Sequence, residues 1–471
     1  MTFVQPAFAL LLTLCCLVAW TARSRSIVNP ALLAASYLFY GWVHPWFCAL
    51  LALSTLIDYA AARIITERPA WRDAALWASV GGNLGVLGLF KYFDFFMTEF
   101  GHALTAIGLP LEPALLGLAL PVGISFYTFQ SMSYTLDVHR GRLPACASLV
   151  DFALYVAFFP QLVAGPIERA THLLPQVQSD RAVTIDQVAT GVTLLAWGAF
   201  QKVCIGDVVG AYVDQVGALR EPAGALIWAS AIGFGTQIVA DFSGYTDMAR
   251  GAARMLGFEL VKNFHFPYLA TSTPDFWRRW HMSLSEWIRD YVYEPWLRLG
   301  RPSLRRTIGV TLGTFLLVGL WHGPRWTFIL LGLWHGTAMV AYTVITPILP
   351  RRLRDLPGGR WFAIALHHAL VLVPGGVLFR EPDAARGLAW LVTPPWQGDP
   401  AERLAAAYIL LVTVWVSLPM IAWPYARRAA LSRLRGSPWI WSLRAALWTL
   451  ALLAVVTWSS TAPDDFIYFQ F

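Results

Sequence analysis

The stretch 317–336 reads LVGLWHGPRWTFILLGLWHG and places His322 and His335, thirteen residues apart, among leucines, tryptophans and glycines. An ionisable side chain is expensive in such surroundings and marks a functional position by default. Imidazole is the least costly choice. With an ordinary pKa of about 6.5 it reaches its neutral form near physiological pH and can then accept a proton as a general base. Pro324 follows directly and ends the helix, so His322 is expected at a break between two apolar segments. Gly319, Gly323, Gly332 and Gly336 permit close backbone approach or leave room for a ligand. The competing structural role for His322 is a helix-end imidazole bonded to a freed carbonyl. His335, mid-segment beside Trp334, reads first as a packing or hydrogen-bonding histidine.

A third histidine lies in TPDFWRRWHMSLSEWIRDYVYEPW, which begins at Thr273. Thr273 is a plausible N-cap, Pro274 suits the first helical position and Asp275 complements the positive helix end. At about 100° per residue, Phe276, Trp277, Trp280, Leu284, Trp287, Ile288 and Tyr291 share one arc. Arg278, Arg279, Ser283, Ser285, Glu286, Arg289 and Asp290 share the other, with Met282 the exception. The pattern predicts one amphipathic helix at a membrane interface or against a bundle. His281 falls at the edge of the apolar arc. It either hydrogen-bonds locally or lines an entrance for a charged ligand beside Arg278 and Arg279.

No GxSxG, phosphate-binding glycine loop or HxxxH pair occurs. His367 and His368 are adjacent, about 100° apart on a helix, and cannot readily share a ligand. The five cysteines include neighbours Cys15 and Cys16 and no CxxC, so neither a disulfide framework nor a zinc site is suggested.

The elements that must position these residues follow from composition. Charged residues make up 13% of the 471, against about a quarter in soluble proteins. Hydrophobic residues make up 57%, and the mean hydropathy is +0.53. Such a chain cannot furnish a polar shell, so the expected class is an all-α polytopic membrane protein. The net charge of +7 sits in arginines between apolar runs, as topology-setting loop charges do, rather than on a nucleic-acid-binding face.

Apolar runs fall at about 3–20, 27–42, 46–62, 76–96, 115–135, 189–206, 225–241, 307–321, 326–346, 361–379, 404–423 and 443–460. The first is read as an uncleaved span, because Arg23 and Arg25 follow it and no positive charge precedes it. Basic stretches at 63–72, 139–142, 250–306, 351–354 and 427–435 all fall on the cytoplasmic side only if 151–165 (DFALYVAFFPQLVAG) does not cross. That segment is therefore expected to be re-entrant or buried, lining a cavity or covered by protein. About 12 spans result, with both termini outside, in a single membrane domain over 1–471 whose cytoplasmic helix and loop occupy 273–306. No internal repeat or low-complexity linker interrupts it.

Several long motifs, in order, resemble the membrane-bound O-acyltransferase family. More narrowly they resemble its bacterial branch of alginate, peptidoglycan and teichoic-acid enzymes. They are PVGISFYTFQSMSYTLDVHRG (121–141), FFPQLVAGPIERA (158–170), DFSGYTDMARGAARMLGFEL (241–260), FWRRWHMSLSEWIRDYVYEPW (276–296), GLWHG (319–323) and FIYFQF (466–471). The resemblance covers nearly the whole chain. It implies a ring of tilted helices around a central tunnel, where a cytoplasmic acyl donor meets an acceptor from the other side. It also implies His322 as the catalytic histidine and His281 as the second functional one. Where the family usually continues with a PLGG-like turn, this chain has LRLGRPS (297–303). The resemblance therefore does not carry over the shape of the cytoplasmic entrance.

The expected reaction is acetyl transfer from acetyl-CoA, a donor substrate rather than a bound cofactor, to a hydroxyl of an extracytoplasmic polysaccharide. No serine or cysteine is placed as an evident nucleophile, so transfer without an acyl-enzyme is favoured, and the acetyl group reaches the polysaccharide directly or through a partner protein. Trp277, Arg278, Arg279 and Trp321 are expected at the donor site or tunnel. Gln130, Gln161, Tyr245 and Asp247 are polar residues in apolar motifs that could orient His322 or donate to the oxyanion, although packing hydrogen bonds explain them equally well. Membrane lipid and an extracytoplasmic acetyltransferase or polysaccharide-modifying protein are the expected partners, without nucleic acid or metal. The expected location is a bacterial inner membrane. The alternatives are acylation of a protein, lipid or teichoic acid, a transporter, or a non-catalytic component of an export complex.

Overall fold

The computed structural model describes residues 1–109, 112–163, 165–348, 358–434 and 439–458. Among them every regular element is a helix. The basic stretch 351–354, the side chains of 427–435 and the motif 466–471 lie outside the described residues.

Among the described residues seven helices are long and apolar enough to cross a membrane: Phe47–Glu67, Ile185–Gly217, Gly224–Met255, Trp326–Ile345, Gly359–Arg380, Pro400–Ala422 and Trp441–Trp458. The other five expected runs also meet helix, but helices that are shorter or more polar. Pro6–Ala22 and Arg25–Tyr40 have 17 and 16 residues. The run expected at 115–135 is helical only from Ile124 to His139. Pro121 and the left-handed Gly123 (φ +77°) delay its start.

The chain forms two compact units, one of residues 1–195 and 248–261, the other of 196–247 and 262–471. In the first unit, Phe47–Glu67, Arg72–Leu87 and Ile124–His139 pack together around a buried polar knot. There the Asp58 carboxylate accepts from Ser79, from Asn83 at 2.9 and 3.0 Å, and from Thr135 at 3.2 Å. A buried carboxylate needs such a set of donors. The segment expected to be re-entrant is two short buried helices, Leu149–Ala157 and Phe159–Leu162, broken at Phe158 and too short to span.

The second unit is organised by the antiparallel pair Leu304–His322 and Trp326–Ile345, its most extensively packed helices. Glycines explain the packing. A Cβ on Gly319 would overlap the Phe328 carbonyl oxygen, and one on Gly332 would overlap that of Phe315. Both glycines therefore permit close approach, and both also line the cavity that His322 faces.

Candidate active site

His322 is the last residue of Leu304–His322, and Trp326 opens the next helix four residues on. The expected break is there, and the buried ring packs among Trp321, Phe328 and Phe379 at centroid distances of 5.1, 6.0 and 5.2 Å. It faces a cavity of about 70 Å³, partly open, whose walls are mainly aromatic, aliphatic and glycine. His335 lines that same cavity from the neighbouring helix. Its ring stacks on Phe276 (6.2 Å, 9°) and meets Trp277 edge-on at 5.3 Å. The sequence offered one signal for this pairing: the pentapeptide GLWHG stands at both 319–323 and 332–336.

A second, wider cavity of about 380 Å³ is bordered by Arg278, Glu286 and Arg289. Trp277, Phe315 and Val318 line both cavities. A charged vestibule and an apolar histidine chamber thus share one wall, of which the Trp277 indole is part.

The amphipathic segment is not the single helix its periodicity predicts. It runs Thr273–Trp277, turns, resumes as Met282–Ile288 and continues through a wide turn at Arg289–Tyr293 to Glu294–Arg298. The N-cap is Ser272, not Thr273, and accepts from the Asp275 N–H. The break lies at His281, which is left-handed (φ +41°). There an extended strand of chain supplies the partners that a helix would have supplied. His265 N–H donates to the Arg279 carbonyl, and Met282 N–H to that of Asn263, each at 2.9 Å.

His281 is consequently fully buried, not at an interface, and lies on the wall of neither cavity. Its Nδ1 lies 3.1 Å from Asn263 Oδ1, which also accepts from the Ser283 N–H at 3.2 Å and hydroxyl at 2.9 Å. A backbone N–H can only donate, so the asparagine atom facing it is oxygen and the His281 proton sits on Nδ1. Burial lowers the His281 pKa to about 3, so the ring is neutral. Ser283, expected on the polar arc, is buried by the same asparagine.

The adjacent arginines part company. Arg278 borders the vestibule, whereas Arg279 donates to Asp275 at 2.8 Å and does not. Burial alone would raise the Asp275 carboxyl, but the Arg279 hydrogen bond leaves it below the usual carboxylate range.

Four of the expected polar residues line neither cavity. Gln130 and Gln161 belong to the first unit and both donate to the Tyr155 carbonyl, at 2.6 and 3.0 Å, near the helix break at Phe158. Tyr245 and Asp247 lie on Gly224–Met255, buried and half-buried, and border neither cavity. One buried charge cluster was not anticipated: Lys202 pairs with Asp207 at 2.6 Å and Asp241 at 2.9 Å. Lys202 lies within the run 189–206, and the motif beginning at Asp241 was its signal.

Residues 140–353, which include His281, His322 and His335, match the family described as MBOAT, membrane-bound O-acyltransferase. The chain is 40% identical over 377 residues to a probable alginate O-acetylase of Azotobacter vinelandii, covering 78% of this chain and 72% of that protein. The chain belongs to the membrane-bound O-acyltransferase family. The family carries O-acyltransferase activity, and this member is an enzyme of that kind. It is also 42% identical over 307 residues to a probable alginate O-acetylase of Pseudomonas putida, 64% of this chain and 62% of the relative. A peptidoglycan O-acetyltransferase of Helicobacter pylori is 33% identical over 328 residues, 63% of this chain and 60% of the relative.

Proposed function

We propose that this O-acyltransferase moves an acetyl group from cytoplasmic acetyl-CoA to hydroxyls of an extracytoplasmic polysaccharide. The observation that carries this reading is the pair of cavities with Trp277 in their common wall. An arginine-bordered vestibule suits the phosphates of a thioester donor, and the apolar chamber suits a neutral histidine base. The names of the relatives, which act on alginate and peptidoglycan, support a polysaccharide acceptor.

In the proposed step, neutral His322 takes the proton of the acceptor hydroxyl as its oxygen bonds to the thioester carbonyl carbon. The C–S bond then breaks, and the departing thiolate takes the proton back from the imidazolium. General-base assistance of this kind contributes about 10²–10⁴-fold. The aromatic and aliphatic walls offer few polar groups to hold water that would hydrolyse the thioester. His281 acts one layer behind, through Trp321, as a positioning residue. The chain is proposed to lie in a bacterial inner membrane with both termini periplasmic, as one membrane domain, beside an extracytoplasmic polysaccharide-modifying protein that holds the polymer for it.

The test is transfer of labelled acetyl from acetyl-CoA to polymer in membranes from cells producing alginate, cellulose or peptidoglycan alone. Label in one polymer, lost with His322→Ala, supports the reading. Label confined to lipid or protein contradicts it.

A further inference from the structure

The stretch LRLGRPSLRR (297–306) carries four arginines and no acidic residue, and it borders neither cavity. Its place is fixed from both ends. Glu294–Arg298 leads into it, and Leu304–His322 begins within it, with the Ser303 hydroxyl accepting from the Arg306 N–H. Arg306 turns inward and donates to the carbonyls of Trp296 at 2.7 Å and Leu297 at 3.0 Å. The Trp296 ring rests on Gly313, where a Cβ would overlap it. The turn is therefore tied down against its own helix.

Its depth follows from the helix pairing. Gly336 of the spanning helix Trp326–Ile345 lies against Leu312 of the antiparallel neighbour. Eight residues further along each helix, Leu304 falls level with Val344, in the last turn of the spanning helix. Tyr342, exposed in that same last turn, is the kind of residue that marks the headgroup layer.

At this level the turn presents cations and leucines together. Leu299 is 81% exposed, and Leu304 is exposed beside it. The Arg298 side chain is 79% exposed, and its solvent-facing pair with Glu294 at 2.7 Å holds it only weakly. Arg301 and Arg305 are exposed, and their side chains have no hydrogen-bond or ion-pair partner among the described residues. Arginines alone would suit any acidic surface. Arginines interleaved with exposed leucines, level with the end of a spanning helix, suit a bilayer. There phosphate accepts from guanidinium while leucine enters the acyl boundary.

We infer that residues 298–305 form a binding surface for anionic phospholipid, with Arg298, Arg301 and Arg305 at the phosphates and Leu299 and Leu304 at the acyl boundary. The surface is independent of which acyl donor the enzyme uses.

The experiment adds an equimolar mixture of phosphatidylglycerol and phosphatidylcholine to the purified full chain in detergent and counts retained lipids by native mass spectrometry. Wild type is compared with Arg301→Gln and with the triple variant Arg298→Gln, Arg301→Gln, Arg305→Gln, each checked for monodispersity. A basic residue at an anionic surface contributes about fivefold in affinity. The triple variant should therefore lose at least about tenfold of the wild-type preference for phosphatidylglycerol, and Arg301→Gln about fivefold. An unchanged preference in the monodisperse triple variant overturns the surface. If the triple variant does not fold, Arg301→Gln, a single exposed change in non-helical chain, is judged by its own expected loss. Soluble polyglutamate that binds wild type but not the triple variant, with the lipid preference unchanged, assigns the arginines to an acidic protein and also overturns the proposal.

Discussion

One indole separates His281 from His322: the Trp321 ring lies 5.8 Å from the first imidazole and 5.1 Å from the second. The two family histidines therefore differ in kind. His322 faces the chamber, while His281 is anchored through Asn263 and meets His322 across the Trp321 ring. Replacing His281 by leucine removes one of the three donors to Asn263 Oδ1 and leaves the two from Ser283. The expected cost is about 0.5–1.5 kcal/mol in stability, with a fall in kcat and little change in KM. His281→Gln, which can still donate, should retain more of both. Melting curves and initial rates on the same preparations check this.

The pH dependence of stability follows from the same burial. His281 titrates near 3 when folded, against about 6.5 when unfolded, so between these values the unfolded chain binds more protons. The contribution of the neutral ring is complete above about pH 6.5 and is lost as pH falls toward 3. Wild type should lose more stability than His281→Gln over that window. Parallel acid limbs for the two proteins would contradict it.

The adjacent arginines should separate in assay. Arg278→Ala is expected to raise KM for acetyl-CoA by about tenfold and to weaken its dependence on salt, because a solvent-facing cation meets phosphate there. Arg279→Ala should leave KM nearly unchanged and lower the melting temperature, since it strands Asp275. A salt series of KM for both variants distinguishes them.

Gly332→Ala drives a methyl into the Phe315 carbonyl and must part the helices that carry His322 and His335. Overpacking of this kind costs about 1–3 kcal/mol. The variant should melt earlier and turn over more slowly. Unchanged melting would show that the pair tolerates separation.

What the sequence shows of this arrangement depends on whether the cause is local. The break at His322 is legible because Pro324 forces it within two residues. The buried break at 149–162 is legible because loop charge on either side of a run counts spans. The turn at His281 is not legible from periodicity, because its cause is non-local: the chain at 263–265 takes over the backbone hydrogen bonds. The same distance in sequence hides the pairing of Trp277 with His335. The glutamines illustrate the opposite error. Polar residues in apolar motifs suggest chemistry, yet Gln130 and Gln161 serve a carbonyl beside a broken helix.

The central claim is that His322 is the base for acyl transfer from a thioester. It is tested most directly by thiol release from acetyl-CoA by purified wild type and His322→Ala in detergent, with an acceptor oligosaccharide and matched melting curves. A folded His322→Ala that has lost at least about 10²-fold of the wild-type rate is the predicted result. Equal rates in the two folded proteins would contradict it.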